Sequence, residues 1–234
     1  MSLTIWRGVM SAVTHAIQNR HSTRAFLKRP VEEGLIREII DIARFSPSSG
    51  NLQPWSLIVL SGDDLSQLKE EVDQTLAQSP KGEGMGYPIY PENLKAQYQA
   101  RRAKCGEDLY ATLNVSRDDR PGRAKQFARN FSFFDAPVGM VLAVDRSMGH
   151  GQWADLGMFL QTLMLLAHER GLGTCAQACW TLVHKTVERH LELPEELMVF
   201  CGIALGYADN EHPINTLRTE REPLSEFTQF KGFV

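Results

Sequence analysis

Three strongly apolar segments, each the length of one buried strand, are spread widely along this 234-residue chain. They cover residues 56–61, 137–144 and 197–206, and segments with helical periodicity fill the intervals between them. A doubly wound sheet needs more strands at a closer and more regular spacing. The sequence therefore predicts an α+β sandwich, in which helices flank one central sheet.

Helical periodicity is clear at 31–45, where apolar residues recur at helical spacing until Pro47 stops the pattern. A second helix is expected at 63–78, with Asp63 or Asp64 as its N-terminal cap. The other predicted helices cover about 9–20, 92–113, 122–131, 152–170 and 181–192.

Composition and charge exclude several classes of protein. The formal net charge of −3 argues against a general nucleic-acid binder. The longest apolar stretches are too short to cross a bilayer, and the N-terminal residues lack the apolar run of a signal peptide. Four cysteines without a C-x-x-C pair are too few for a disulfide-stapled secreted domain. We therefore expect a cytoplasmic protein with neither a membrane nor a nucleic-acid partner.

The length and apolar content suit one domain over residues 1–234. The tail at 208–234 is mixed polar and aromatic, and Phe227, Phe230 and Phe233 recur in it every three residues. So much aromatic surface is expected to pack on something, and a partner subunit is one candidate.

Several common site motifs are absent from the sequence. It contains no G-x-G-x-x-G, no G-x-x-x-x-G-K-[ST], no H-E-x-x-H and no G-x-S-x-G. The glycine-rich run at 82–86 lacks the lysine that follows a phosphate loop, and the histidines lack paired metal-ligand spacing. We expect no metal site.

The first candidate site motif is Arg20-His21-Ser22-Thr23-Arg24, at a predicted helix-to-loop junction. Guanidinium groups and short hydroxyls suit a phosphate and a polyol chain, because both ligands offer many acceptors at fixed geometry. A solvated basic turn would have the same composition, so this segment alone leaves both interpretations open.

The second motif is the segment 46–55, between a predicted helix and a predicted strand. Two prolines, a glycine and several small polar residues make it a rigid loop that presents hydrogen-bonding groups. It is either a ligand-binding loop or a plain connector that ends in a buried tryptophan. The candidate binding residues are Pro47, Ser48, Ser49, Gly50 and Asn51.

The third motif covers residues 171–177, where Gly171 ends an apolar helix by taking the left-handed conformation. The small residues that follow allow the backbone to approach a flat ring closely. Cys175 and Cys179 lie four residues apart, which permits either a redox disulfide or buried inert thiols; free cysteines favour the second.

The fourth motif covers residues 215–224 and contributes two more arginines, Arg218 and Arg221. They stand before a proline, and we treat the segment as a candidate site motif. Because Glu220 and Glu222 lie beside them, a salt-bridged surface is the alternative.

Taken together and in this order, the motifs resemble the FMN-dependent nitroreductase family, through nearly the whole chain. The family's fold implies a nitroreductase-like α+β sandwich with a mostly antiparallel sheet, built as an intertwined homodimer with two FMN sites at the interface. The segments that carry the likeness are RHSTRAF at 20–26, SPSSGNLQPW at 46–55, FFDAPVGMVLAVD at 133–145, DLGMFLQTLMLLAHERGLGTCAQ at 155–177, CGIALGYAD at 201–209 and TEREPL at 219–224.

The resemblance also implies how FMN is bound. Arg20 would contact the phosphate with Arg221 as a second ligand, and Arg24 would contact the ribityl chain or the pyrimidine edge of the ring. The serine-rich loop would reach the flavin from the other subunit. The remaining implied binding residues are His21, Ser22 and Arg218, with Cys175, Ala176 and Gln177 bordering the ring mainly through backbone groups.

The resemblance implies an enzyme that passes electron pairs from NADH or NADPH to small nitroaromatic or quinone-like acceptors by a ping-pong mechanism. No catalytic side chain is expected, because the flavin carries the chemistry. The alternatives are a reductive dehalogenase or flavin-modifying enzyme of the same fold, and a non-catalytic flavin-binding module.

Two departures from the family's sequence pattern affect these expectations. Thr219 stands where a related branch has lysine, for which Arg218 is the candidate replacement, and the helical excursion at 80–131 is longer and more polar than in compact members. We expect that excursion to shape the substrate pocket.

Overall fold

A computed structural model describes residues 11–233 of the chain. Within this range the protein has seven α-helices and four β-strands, with short 3₁₀ segments between them. In chain order the elements are α1 (Ala12–Asn19), α2 (Glu33–Ala43), β1 (Trp55–Ser61), α3 (Gly62–Gln78), α4 (Ala96–Ala111), α5 (Arg120–Ala128), β2 (Val138–Asp145), α6 (His150–Glu169), β3 (Gly173–Gln177), α7 (His184–His190) and β4 (Leu197–Gly206).

The four strands form one sheet in the order β1-β2-β4-β3, and every pairing is antiparallel. This confirms the expected α+β class and the antiparallel sheet. β2 and β4 form the centre of the sheet, whereas β1 and β3 lie at its opposite edges. The distinction matters for function, because two of the candidate site motifs lie beside different edge strands.

Helices cover both faces of the sheet, and alternate side chains of β2 therefore enter two different cores. On one face Leu142 belongs to a cluster with Ile39 of α2 and Phe159 of α6. On the other face Val141 belongs to a cluster with Leu68 of α3 and the buried Trp180. This two-sided cover explains why the most apolar predicted strand is buried along almost its whole length.

Two sequence predictions about the elements are wrong. Strand β3 was not predicted as a strand, because its residues are small or polar and give no apolar run. Neither Asp63 nor Asp64 caps α3, since the helix begins at Gly62 and both carboxylates lie in its first turn. There they face the positive end of the helix dipole, which is a favourable position for a negative charge.

The other predicted helices lie within a few residues of their observed positions, and strand 197–206 coincides with β4. The helix predicted at 181–192 begins only at His184, because residues 178–183 form a 3₁₀ segment. The helix predicted at 9–20 lies partly outside the described residues. Among the helices of residues 11–233, none is both long and apolar enough to cross a bilayer.

Candidate functional site

The segment that follows α1 lies along the free edge of β3. Ser22 and Thr174 form a parallel β-bridge, and the Thr23 N–H donates to the Thr174 carbonyl at 2.9 Å. Gly173 permits this approach, because a Cβ atom there would lie 2.4 Å from Thr23 Oγ1, closer than real contacts allow. The close packing holds the Arg20–Arg24 motif against the edge strand.

Asn215 joins this motif to the C-terminal part of the chain. Its buried side-chain oxygen accepts the backbone N–H of Arg24 at 2.8 Å. Its amide group donates to the carbonyls of Ala25 and Asp209, both at 2.8 Å. Arg218 in turn donates to the Asn215 carbonyl at 2.9 Å. Asn215 therefore positions arginines from both ends of the chain, Arg24 through its side chain and Arg218 through its backbone carbonyl.

The two arginine motifs line a single cavity of about 510 Å³, which we call the arginine cavity. The described residues that line it include no aspartate or glutamate. Such a concentration of positive charge without a counterion is typical of an anion-binding site. The predicted site residues that it brings together are Arg20, His21, Ser22, Arg24, Arg218 and Arg221.

The electrostatics of Arg20 also indicate an anionic ligand. Burial lowers the pKa of its guanidinium group, and the neighbouring charge of Arg221 lowers that pKa further. Arg20 Nε is buried and has no hydrogen-bond acceptor among the described residues. Leaving a buried donor unmatched costs about 1–3 kcal/mol. A phosphate group in the cavity would accept from this donor and offset the repulsion between the two arginines.

His21 leaves a second buried polar atom without a partner in the described part of the chain, its Nε2. The other ring nitrogen lies 3.2 Å from the Asn19 carbonyl oxygen, so in the neutral ring Nδ1 carries the proton and Nε2 is an acceptor. Burial is the main cause that lowers the pKa of His21, which favours the neutral ring near pH 7. An unmatched acceptor next to Arg20 suits a hydroxyl donor of a ligand, such as that of a phosphorylated polyol.

The glutamates of the fourth motif do not neutralise its arginines. Glu222 pairs with Arg101 at 2.6 Å and Glu220 with Lys104 at 3.3 Å, and both cations belong to α4. The predicted salt-bridged surface is therefore present, but its cations come from α4. Arg221 donates instead to the Thr219 hydroxyl at 2.6 Å.

The third motif lies on β3, beside the arginine cavity. Cys175 and Gln177 are buried, whereas Ala176 is exposed at the sheet edge. The Gln177 amide donates to the Asn130 carbonyl at 2.8 Å, which fixes its side chain. Burial raises the pKa of Cys175 and raises that of Cys179 to about 12, so both thiols stay protonated. All four cysteines of the chain lie in the described range and all are free, and the raised pKa values of Cys175 and Cys179 agree with inert thiols at these two positions.

The serine-rich loop does not line the arginine cavity of its own chain. It precedes β1, at the opposite edge of the sheet from β3, and three strand spacings amount to about 14 Å. The Ser49 N–H donates to both carboxylate oxygens of Asp155 at 3.2 Å, which ties the loop to α6. Gly50 and Asn51 adopt left-handed backbone angles and are exposed. One chain therefore does not bring the two halves of the predicted FMN site together.

Sequence reasoning did not identify two residues that position the site, Asn215 and Asp155. Both are polar and almost fully buried, with exposed fractions of 4% and 1%. The only sequence signal for Asp155 is a carboxylate that opens an otherwise apolar helical segment. Asn215 opens the fourth motif, but its three side-chain hydrogen bonds depend on folding that no local pattern reports.

Comparison with known proteins agrees with this fold. The model of the Nitroreductase family matches residues 17–207, and the chain belongs to that family. A curated relative from Pseudomonas putida, 4-nitrobenzoate reductase, is 39% identical over 217 residues, which span 93% of this chain and 94% of the relative. The family expectation from the sequence is confirmed.

Two solved structures of the family are also closely similar. The FMN and NADPH-dependent nitroreductase NfnB from Sphigopyxis sp. strain HMH superposes with a TM-score of 0.92 at 41% identity, over 94% of this chain and 99% of that chain. The FMN-dependent nitroreductase NfnB from Mycobacterium smegmatis, solved in complex with NADPH, has a TM-score of 0.89 at 30% identity, over 94% and 98% of the two chains. These likenesses confirm the predicted nitroreductase fold.

Proposed function

We propose that this protein is an FMN-dependent oxidoreductase that passes electron pairs from NADPH or NADH to small nitroaromatic or quinone-like acceptors. The observation that carries the proposal is the arginine cavity, in which Arg20, Arg218 and Arg221 converge without a carboxylate. The cofactor and donor named for the similar solved structures support the same conclusion.

The residues of the cavity match the parts of FMN in kind. A phosphate monoester carries roughly two negative charges near neutral pH. Burying such a group without partners would cost several kcal/mol, so more than one arginine is required. Arg20 and Arg221 are the proposed phosphate ligands, Arg218 supplies further positive charge, and Ser22 and His21 face the polyol chain. Bound FMN would supply the two-electron chemistry.

Arg24 has a different place from the phosphate ligands. It lines the arginine cavity and also a neighbouring cavity with aromatic walls. A fixed positive charge at this boundary stabilises negative charge that develops in a bound ring. If nicotinamide and acceptor occupy the same space over that ring in turn, the kinetics are ping-pong. No side chain of the protein has to act as a nucleophile or as an obligatory acid.

A second copy of the chain completes the proposed site. The exposed residues Pro47, Ser49, Gly50 and Asn51, together with Ser48, lie at the sheet edge opposite β3. They can approach a flavin held at β3 only from another molecule, which supports a homodimer. We further propose that residues 1–234 form one domain, in which 80–131 is a helical excursion at the substrate pocket and 208–234 is a tail that packs on the partner subunit.

The tail fits this role because its aromatic side chains are not covered within the chain. Phe227, Phe230 and Phe233 are 70%, 67% and 82% exposed. Covering three such rings removes a large apolar area from water, which favours association. Light scattering on the eluted protein should give twice the chain mass of 26.3 kDa. A monomeric mass at micromolar concentration would contradict the shared site.

The activity itself is tested with the purified protein and its flavin. We expect a yellow protein that bleaches when NADPH or NADH is added without oxygen, and that recovers its colour when a nitroaromatic or a quinone follows. Parallel reciprocal plots at several donor concentrations would support the ping-pong mechanism, whereas intersecting lines would contradict it.

Other outcomes point to the alternative functions. Recovery of the yellow colour with halogenated phenols but not with nitroaromatics would favour the dehalogenase alternative. Loss of flavin absorbance that no acceptor restores would favour a flavin-modifying enzyme. A protein that binds FMN but does not bleach with either nicotinamide would favour a non-catalytic flavin-binding module.

A further inference from the structure

A second cavity of about 420 Å³ adjoins the arginine cavity, and we call it the aromatic cavity. Arg24 and Cys105 line both cavities, so the two are neighbours. No aspartate or glutamate is among its described lining residues. Its walls are mainly apolar, formed by Tyr90, Leu109, Tyr110, Phe127 and Phe134.

The walls of the aromatic cavity suit a flat ring. Tyr90 and Phe127 lie on it and remain 49% and 46% exposed, so both rings offer free surface. Aromatic pairs in stacked or edge-to-face contact gain energy beyond the area that they bury. A small aromatic ligand is therefore the class of molecule that this cavity fits best.

Arg102 is the one α4 charge that remains unneutralised in the described structure. Its guanidinium carbon lies 4.1 Å from the centre of the Tyr90 ring, and no carboxylate or hydrogen-bond acceptor is assigned to it among residues 11–233. The other charged side chains of the helix are paired, as Arg101–Glu222, Lys104–Asp108 and Glu107–Arg123.

This arrangement leaves a planar cation at the rim of an aromatic-walled cavity. A guanidinium group binds a carboxylate through two parallel hydrogen bonds, and the contact with the Tyr90 ring holds the Arg102 guanidinium at the cavity. Arg102 is exposed, so pairing it with a ligand costs little desolvation. No acidic side chain of the cavity competes with an anionic ligand.

We infer that Arg102 is a specificity-determining residue that selects aromatic acceptors carrying a carboxylate over uncharged aromatic acceptors. The ring of the acceptor lies between the aromatic walls, next to the flavin side of the cavity marked by Arg24, and the carboxylate pairs with Arg102. This inference rests on the proposed function for the reaction itself. It adds the chemical class of the acceptor and the residue that recognises it.

Binding can be measured apart from turnover. Isothermal titration of the flavin-loaded protein with benzoate and with benzamide compares two ligands of nearly equal shape, of which one is charged. We expect benzoate to bind roughly tenfold more tightly than benzamide, a difference of about 1.4 kcal/mol. Arg102→Gln should abolish that preference, and Arg102→Lys should restore part of it, because lysine keeps the charge but not the planar fork.

A matched control separates direct contact from the general charge of α4. Arg101 is the adjacent arginine, lines a different cavity and pairs with Glu222. Arg101→Gln removes the same charge from the same helix and should leave the benzoate preference unchanged. Equal loss of preference in both variants would overturn the inference, because it would assign the effect to long-range charge.

Turnover distinguishes this inference from the proposed function. With 4-nitrobenzoate and 4-nitrobenzamide as acceptors, Arg102→Gln should raise KM roughly tenfold for the acid and leave KM for the amide and for NADPH within about twofold. Reduction of both acceptors without discrimination by the parent protein, or a KM raised only for NADPH in Arg102→Gln, would overturn the role of Arg102 and leave the proposed function standing. Failure of the parent protein to reduce either of these acceptors or a quinone would overturn the proposed function.

Discussion

Gly173 is where the candidate site depends most directly on a close packing contact. A Cβ atom at this position would lie 2.4 Å from Thr23 Oγ1 and 2.9 Å from both Thr23 Cβ and Cγ2. Thr23 is 1% exposed, and its backbone N–H is bonded to Thr174, so the side chain has little room to move away. Gly173→Ala should therefore push residues 20–24 off the edge of β3.

The cost of this substitution can be estimated. Overpacking a well-packed interior costs typically 1–3 kcal/mol, and the immobility of Thr23 favours the upper half of that range. In a chain of this size each kcal/mol corresponds to about 2–4 °C in Tm, so the loss should be roughly 4–12 °C. Displacing Arg20 and Arg24 should also weaken FMN binding by about tenfold or more.

The assay is urea unfolding of the flavin-free protein, followed by titration with FMN. Gly157→Ala in α6 is the matched control, since a Cβ atom there meets open space and alanine favours helix by about 1 kcal/mol. Thr23→Ala should partly rescue Gly173→Ala, because it removes the contact to Oγ1. If Gly173→Ala has the stability and FMN affinity of Gly157→Ala, the close approach does not hold the site together.

Three further predictions follow from individual residues. Arg24→Ala should lower FMN retention and slow bleaching by NADPH, and unchanged flavin content with an unchanged rate would exclude that role. Burial is the largest cause that lowers the pKa values of His21 and His168 in the folded chain. Just below pH 6.5, the usual pKa of about 6.5 for histidine lets the unfolded chain bind more protons than the folded chain does. The free energy of unfolding of the flavin-free protein should therefore fall as pH drops from about 6.5 toward 5.5 and should not depend on these groups above pH 7.5. The double variant His21→Gln, His168→Gln should lose that part of the slope, and a parent-like slope would contradict the assignment. Cys105 is exposed, whereas burial raises the pKa of Cys201 to about 12. A thiol-reactive aromatic disulfide should therefore react rapidly with Cys105 alone in the native chain and with all four cysteines in denaturant. Rapid reaction of two or more native thiols would contradict this.

The sequence was sufficient to predict the central part of the fold. β2 and β4 are apolar runs because both faces of these strands are covered, and such runs can be read locally. β3 could not be read this way. It has five residues, small or polar, and exists because β4 on one side and residues 22–23 on the other supply its hydrogen-bond partners.

The candidate site was predictable as motifs but not as an arrangement. Arginines and serine-rich loops are visible because their residue types are unusual together. Their convergence depends on Asn215, which bonds to Ala25 and Asp209 at once, and on Gly173 beside Thr23. Neither feature has a period or a spacing that reveals a contact between distant parts of the chain.

The central claim is that Arg20 and Arg221 bind the phosphate of FMN, and the most direct test compares FMN with riboflavin, which lacks only that phosphate. Flavin fluorescence titration should give a dissociation constant for FMN at least about a hundredfold lower, a difference of roughly 2.7 kcal/mol. In the double variant Arg20→Gln, Arg221→Gln, the two flavins should bind almost equally, because only the affinity for FMN falls. Equal affinity of the parent protein for FMN and riboflavin would contradict the account.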